Sequence, residues 1–297
     1  MSNISEMLGS KYPIIQGPIG AINTPDLIAA ISEAGGYGML ALGFMNDIEE
    51  VKRLILEVKK RTSKPFGANI MIINPLNEKI IPILAESGIK TVTTSVGFPG
   101  QIYPQLHANG IKGLHVVLSL KHAISAEQAG ADGIVAAGSE AGGLRSTGSE
   151  SSTMVLVPLI ADNVKVPVVA AGGIADSRGY KAAFALGASG VQIGTRFMAT
   201  HESGIHPEWK KQIVNCSDGE TALLPVDNMM MRAIITPQLK ERLNDPAFDI
   251  KKEFKLANAN RAWNSADFSL VPAGAGQVSA LIKEVKSVKE IIEEMVK

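Results

Sequence analysis

The sequence predicts an α/β fold, a TIM-type (β/α)8 barrel with an insertion after the last strand. Three observations predict it. The chain has 297 residues, 45% of them hydrophobic and 20% charged, enough to bury one large core and typical of a single barrel. Short apolar runs alternate with amphipathic stretches from Pro13 to about Gly194, the pattern of a parallel sheet covered by helices. Eight such units follow one another without a recognisable break in strand order, which favours a closed barrel over a doubly wound open sheet and places any site on the loops after the strands.

Read in order from β-branched content and flanking glycines, strands are expected at residues 13–17, 37–42, 66–72, 91–96, 113–119, 133–137, 166–171 and 190–194. The stretch 24–33 opens with Thr24-Pro25, a cap followed by proline at the first helical position, and 48–61 sets Val51, Leu54, Ile55 and Val58 on one helical face. Residues 1–202 and 272–297 are therefore assigned to the barrel. Residues 203–271 carry Pro207, Pro225, Pro237, Pro246, Met229-Met230-Met231 and both tryptophans. This segment reads as a smaller irregular or helical insertion covering the barrel mouth. Its methionine run reads as core packing ahead of a substrate surface, since methionine fills irregular gaps. From 277 to 297 a helical period returns at Leu281, Ile282, Val285, Val288, Ile291 and Ile292, read as one closing helix.

Lys plus Arg equals Asp plus Glu at 29 each, so no basic excess draws in a phosphate backbone, and nucleic acid is excluded as an expected partner. Cys216 is the only cysteine; it reads as a buried thiol, with no intrachain disulfide and no metal site, and fits a reducing compartment. No apolar run reaches the roughly 18 residues that span a bilayer, and no signal peptide is evident, so a cytoplasmic protein with no membrane association is expected.

Two glycine clusters end the last two expected strands: Ala170-Ala171-Gly172-Gly173-Ile174-Ala175-Asp176 and Val191-Gln192-Ile193-Gly194-Thr195-Arg196. Backbone amides approach a phosphate closely where no Cβ intervenes, and a helix N-terminus beyond adds a favourable dipole. On consecutive barrel strands the pair reads as a phosphate site. At the other end, Gln16-Gly17-Pro18 closes the first strand, and Asn69 lies within Phe66-Gly67-Ala68-Asn69-Ile70-Met71. An amide inside an apolar strand is either a satisfied core group or a contact for a planar heterocycle with alternating donors and acceptors.

Taken with Pro13-Ile14-Ile15-Gln16-Gly17-Pro18, Ala34-Gly35-Gly36-Tyr37-Gly38, Pro65-Phe66-Gly67-Ala68-Asn69, Glu140-Ala141-Gly142-Gly143 and Gln192-Ile193-Gly194-Thr195-Arg196-Phe197, these motifs resemble the nitronate monooxygenase family, formerly the 2-nitropropane dioxygenases. That family includes the FMN-dependent enoyl-acyl-carrier-protein reductases of type II. The resemblance implies an FMN-binding barrel with phosphate held at Gly172, Gly173, Gly194 and Thr195. It further implies that Gln16, Gly17 and Asn69 line the flavin, that Gln192 opens the phosphate motif, and that Glu140, Gly142 and Gly143 form the loop over the active face. A small-molecule substrate, a homodimer, and NADH or NADPH as possible reductant also follow from the resemblance.

One position departs from the pattern. Members that oxidise nitronates or reduce enoyl groups usually have histidine directly after Glu-Ala-Gly-Gly, as proton donor or acceptor beside the flavin; here the residue is Leu144. An alkyl side chain exchanges no proton, and such assistance is typically worth ~10²–10⁴ in rate. Arg145 follows, either as an anion clamp or as a solvated surface arginine. His107 lies in a helix-to-strand connection, His115 within the fifth strand and His206 near the insertion. His122 and His201, which follow strands, are the candidate substitutes. Hydride transfer from a nicotinamide and oxidation of an already anionic nitronate through flavin N5 both proceed without a side-chain acid. The expected order of activities is therefore nitronate oxidation, then enoyl reduction, then an NAD(P)H:quinone-type reductase. A non-catalytic flavin-binding protein is the alternative of another class.

Overall fold

The computed structural model describes residues 4–20, 22–146, 148 and 150–297. Twelve strands are found among them: β1 (Ile14–Gln16), β2 (Gly38–Ala41), β3 (Phe66–Met71), β4 (Thr91–Ser95), β5 (Lys112–Val117), β6 (Gly133–Ala137), β7 (Gly143–Arg145), β8 (Val168–Ala171), β9 (Gly190–Ile193), β10 (Thr221–Val226), β11 (Met229–Ile234) and β12 (Ala273–Gly274). Eight of them pair in parallel in the order β1-β9-β8-β6-β5-β4-β3-β2. The seam closes where the Tyr37 amide donates to the Ile14 carbonyl at 2.8 Å and the Gln16 amide to the Tyr37 carbonyl at 2.9 Å. This is the predicted eight-stranded α/β barrel, with each expected strand present and its bounds within two residues of those expected.

Alternation along the strands builds two cores, because successive side chains in a strand point to opposite faces. Ile15, Met39, Leu114, Val135 and Val169 pack together inside the barrel with Ile4 and Leu8 of the N-terminal helix Ile4–Leu8. Their neighbours Ile14, Leu40, Ile134, Val168 and Val191 pack outward under the helices. Helix Ile48–Lys59 shows how the outer layer forms. Asp47 caps it, accepting from the Glu49 amide, Glu49 and Glu50 sit in the first turn, Lys59 sits in the last, and Val51, Leu54, Ile55 and Val58 are buried, an arrangement that agrees with the helix dipole and the core.

The structure differs from the sequence reading in two places. The C-terminal segment is not one helix: a 3-10 turn at Gln277–Leu281 and an extended stretch precede helix Val288–Met295. A capping box restarts the helix there, with the Ser287 hydroxyl accepting from the Glu290 amide and the Glu290 carboxyl accepting from the Ser287 amide at 2.9 Å. Apolar periodicity runs through such a restart unchanged. The segment 203–271 contains, besides its helices, the antiparallel hairpin β10–β11, with Val226 opposite Met229 across Asp227 and Asn228. Pro225 and the unbranched methionines hide these strands from a β-propensity reading, although Asp227 at φ 51° is the kind of residue a two-residue hairpin loop needs.

Candidate active site

The C-terminal ends of the barrel strands open into a cavity of about 250 Å³. One corner is made by the two glycine clusters. Gly172 and Gly173, after β8, have φ of 101° and 76°, and a Cβ on Gly172 would sit 2.9 Å from the Ala141 amide nitrogen; a glycine there lets the loops after β6 and β8 meet. Gly194 and Thr195 follow β9 and open the short helix Thr195–Met198. A Cβ on Gly194 would meet no atom within 4 Å, so bare backbone faces open space at this corner. The Thr195 hydroxyl accepts from the Gly276 amide at 3.0 Å. Beside them Gln192 lines the cavity, and its amide oxygen is buried without a hydrogen-bond partner among the described residues.

The loop after β6 forms the opposite side. The Glu140 carboxyl accepts from the Thr153 amide at 2.9 Å and from the Thr153 hydroxyl at 3.0 Å, which ties the loop to the start of helix Thr153–Ala161. Gly142 passes so close to the segment after β12 that a Cβ would lie 2.6 Å from Ala275 and Gly276 backbone atoms. Gly143, Leu144 and Arg145 then become β7, pairing antiparallel with β11 so that Leu144 stands opposite Met231 and Arg145 opposite Met230. The expected glycines and Glu140 are thus brought together with Leu144 on the cavity wall. Arg145 is 2% exposed, and its Nη1 donates to the Gly138 carbonyl at 2.7 Å. Burial overturns the surface-arginine alternative. Arg232 of β11 is also buried and donates from Nε to the Ser139 carbonyl at 2.7 Å. Burial, and secondly the charge of Arg232, pull the Arg145 guanidinium below its ordinary pKa, while Glu140 opposes the shift.

Asn69 lines the cavity and is also satisfied, with Nδ2 donating to the Thr93 hydroxyl at 2.9 Å. Gly17 lies on the wall. Gln16 does not: it is buried at the seam, where its Oε1 accepts from the Met39 amide at 3.2 Å. The alternation of β1 accounts for this, because Gln16 shares the face of outward-packed Ile14 rather than that of Ile15.

No histidine among the described residues lines the cavity. His122 stands behind the barrel wall, its Nε2 3.0 Å from Nε2 of His115, whose Nδ1 is 2.7 Å from the Thr94 hydroxyl. His115 is on β5 between inward Leu114 and Val116, so it and its partner face the helix layer. His201 is exposed, its amide donating to the Lys286 carbonyl at 3.1 Å. His107 pairs with Asp132 at 2.9 Å, and His206 caps helix Pro207–Asn215. Both candidate substitutes are therefore corrected: neither His122 nor His201 reaches the cavity. Sequence reasoning missed the apolar wall made by Phe44, Met198, Trp209 and Trp263. Met231, expected in the core, is both buried and on that wall. The only available signal was the clustering of both tryptophans and the methionine run in one segment.

The nitronate monooxygenase family model matches residues 1–81 and 74–297. The chain belongs to the nitronate monooxygenase family. A probable nitronate monooxygenase of Staphylococcus saprophyticus is 29% identical, over 100% of this chain and 97% of that protein. The solved structure of FabK from Thermotoga maritima is 35% identical with a TM-score of 0.88, covering 100% of this chain and 95% of that one. Nitroalkane oxidase from Streptomyces ansochromogenes shares the fold at 24% identity and a TM-score of 0.83, over 99% and 97% of the two chains. As a nitronate monooxygenase family member the chain is a flavin-dependent oxidoreductase.

The cavity fits the family's cofactor. Gly172, Gly173, Gly194 and Thr195 present backbone and a small side chain where a phosphate needs close approach. The Gln192 amide oxygen, without a partner, is a buried acceptor of the kind a ring N–H satisfies. Among the described residues on the wall, only Glu140 and Arg145 are ionisable, and each is held by the contacts above.

Proposed function

We propose that the chain is an FMN-dependent oxidoreductase that oxidises a small substrate already carrying negative charge, an alkyl nitronate or a close analogue, without proton transfer by a side chain. The observation behind this reading is the composition of the wall. Leu144 stands in the cavity, Glu140 is engaged with Thr153, Arg145 is engaged with Gly138, and no histidine lines the site among the described residues. A neutral nitroalkane must lose a proton first; a nitronate has already lost it. Bound FMN would supply two-electron transfer, with its phosphate held by the glycine corner and its ring against Asn69 and Gln192. The protein's part is orientation and electrostatics. Arg145 and Arg232, both buried and fixed to the loop at Gly138 and Ser139, bring two positive charges against the one negative charge of Glu140 at this end of the cavity, an excess that favours an anion.

A second reading, NAD(P)H-dependent enoyl reduction, is supported by the apolar wall of Met198, Trp209, Met231 and Trp263 and by the similarity to FabK. Anaerobic stopped-flow spectroscopy of the FMN-loaded protein separates the two. Propane-2-nitronate is expected to bleach the flavin on the order of 10²-fold faster than neutral 2-nitropropane, the span of a missing general base. Bleaching by NADH or NADPH with turnover of crotonyl thioester, and none by nitronate, would select the second reading. If nothing bleaches the flavin, the oxidative reading is wrong.

A further inference from the structure

The mouth of the cavity is unevenly covered. Trp263 packs over the loop after β1, since a Cβ on Gly20 would lie 2.3 Å from its ring, and β11 lies along β7. In the sector of β2 to β4 the rim instead exposes large apolar side chains: Phe44 at 38%, Ile73 at 63% and Phe98 at 75%. Phe44 and Ile73 are linked through Asn74, and Ile73 packs beside Gly97, the residue before Phe98. The Asn74 side-chain Nδ2 donates to the Gly43 and Met45 carbonyls on either side of Phe44, at 3.3 and 3.0 Å, and the Ile73 side chain packs 3.1 Å from where a Cβ on Gly97 would be. Val96, just before that glycine, has φ 50°, a conformation that costs a β-branched residue about 1–3 kcal/mol and persists only where the surroundings impose it. Phe98 follows two residues later and is exposed. This apolar ledge is continuous with the reaction cavity, because Phe44 and Val96 also line it.

We propose that the substrate bears an aliphatic tail that leaves the cavity across Phe44 and lies on the ledge of Ile73 and Phe98, which selects for chain length. This rests on the reading that the reaction takes place in this cavity. A substrate longer than its reacting group would pass the rim at Phe44, which lines the cavity and is 38% exposed. Water-exposed aromatic and aliphatic groups at a site mouth are covered to advantage by hydrocarbon.

The test is a homologous series of alkyl nitronates from three to eight carbons. A fully buried methylene is worth about four-fold, so a one-sided ledge should give about two-fold per methylene and about 30-fold across the series in kcat/KM. Phe98→Ser and Ile73→Ser, both at exposed positions, are expected to cut the eight-to-three-carbon ratio to below about five-fold. Leu56→Ser, an equally exposed change on helix Ile48–Lys59, should leave that ratio as in the wild type. A flat series with the three-carbon nitronate still oxidised overturns the ledge and leaves the proposed function standing. A steep series untouched by either rim substitution also overturns it. If no nitronate is oxidised, the same comparison is made on binding of alkanoates of four to eight carbons, followed by calorimetry. Affinity that rises with length and loses that rise in Phe98→Ser supports the ledge, and affinity independent of length refutes it.

Discussion

Leu144 is the residue on which the proposed function turns. Leu144 is held on the wall by strand pairing with Met231, so another side chain there would enter the same cavity. Leu144→His is expected to raise kcat/KM for a neutral nitroalkane on the order of 10²-fold while changing that for the nitronate by less than about three-fold, because a base assists only the substrate that still has a proton to lose. The gain should grow as pH rises through about 6.5, where imidazole becomes neutral and able to accept a proton. Steady-state kinetics across that range check this; a nitroalkane profile identical to the wild type would show that position 144 is not where the proton is exchanged. The leucine directly after Glu140-Ala141-Gly142-Gly143 was legible from residue order alone. That His122 and His201 offer no replacement was not, because the facing of a residue after a strand depends on register and on which helix covers it. Arg145 was misleading in the same way. Its loop reads as exposed, yet pairing with β11 buries it.

At the scale of elements, the two glycine clusters lie side by side because β8 and β9 are neighbours. Gly194 separates the needs of the fold from those of a ligand. Its φ is −105°, open to any residue, and a Cβ there meets no protein atom within 4 Å. Gly194→Ala should therefore leave the melting temperature of the FMN-free protein unchanged while weakening FMN binding at least about ten-fold, through loss of the close backbone approach a phosphate requires. Fluorescence titration with FMN and thermal melts of the stripped protein measure the two effects. Equal FMN affinity in variant and wild type would remove Gly194 from the phosphate site. The eight barrel strands were legible because a buried parallel strand is a short apolar run, whatever lies beside it. The hairpin β10–β11 was not, since Pro225 and three methionines carry no strand signal and their pairing with β7 is a long-range event.

For the molecule as a whole, acid stability follows from the histidine pair that joins β5 to helix Leu120–Gln128. Burial, and secondly the neighbouring His122, push the His115 pKa down to about 3, and burial lowers that of His122. The unfolded chain takes up protons at these imidazoles below about pH 6.5, while in the folded chain His115 resists until about pH 3 and His122 titrates below its ordinary range, so their contribution is complete above 6.5 and, for His115, is lost as pH falls towards 3. Between pH 7.5 and 4.5 this amounts to about 2–3 kcal/mol from His115. Urea unfolding at the two pH values should show that loss, and the double variant His115→Gln with His122→Gln should show a shallower dependence. An unchanged slope would mean that other groups govern acid unfolding.

The barrel class, the order of its strands, the glycine clusters and the leucine at position 144 were all determined by the sequence itself, because each depends on the chemistry of a few adjacent residues or on a period of two or 3.6. The tertiary structure alone decided that Gln16 serves the barrel seam, that Arg145 is buried, that the histidines stand behind the wall, and that tryptophans and a methionine from residues 203–271 meet Leu144 across the cavity. These facts depend on register and on contacts between segments far apart in the chain, which no local pattern encodes.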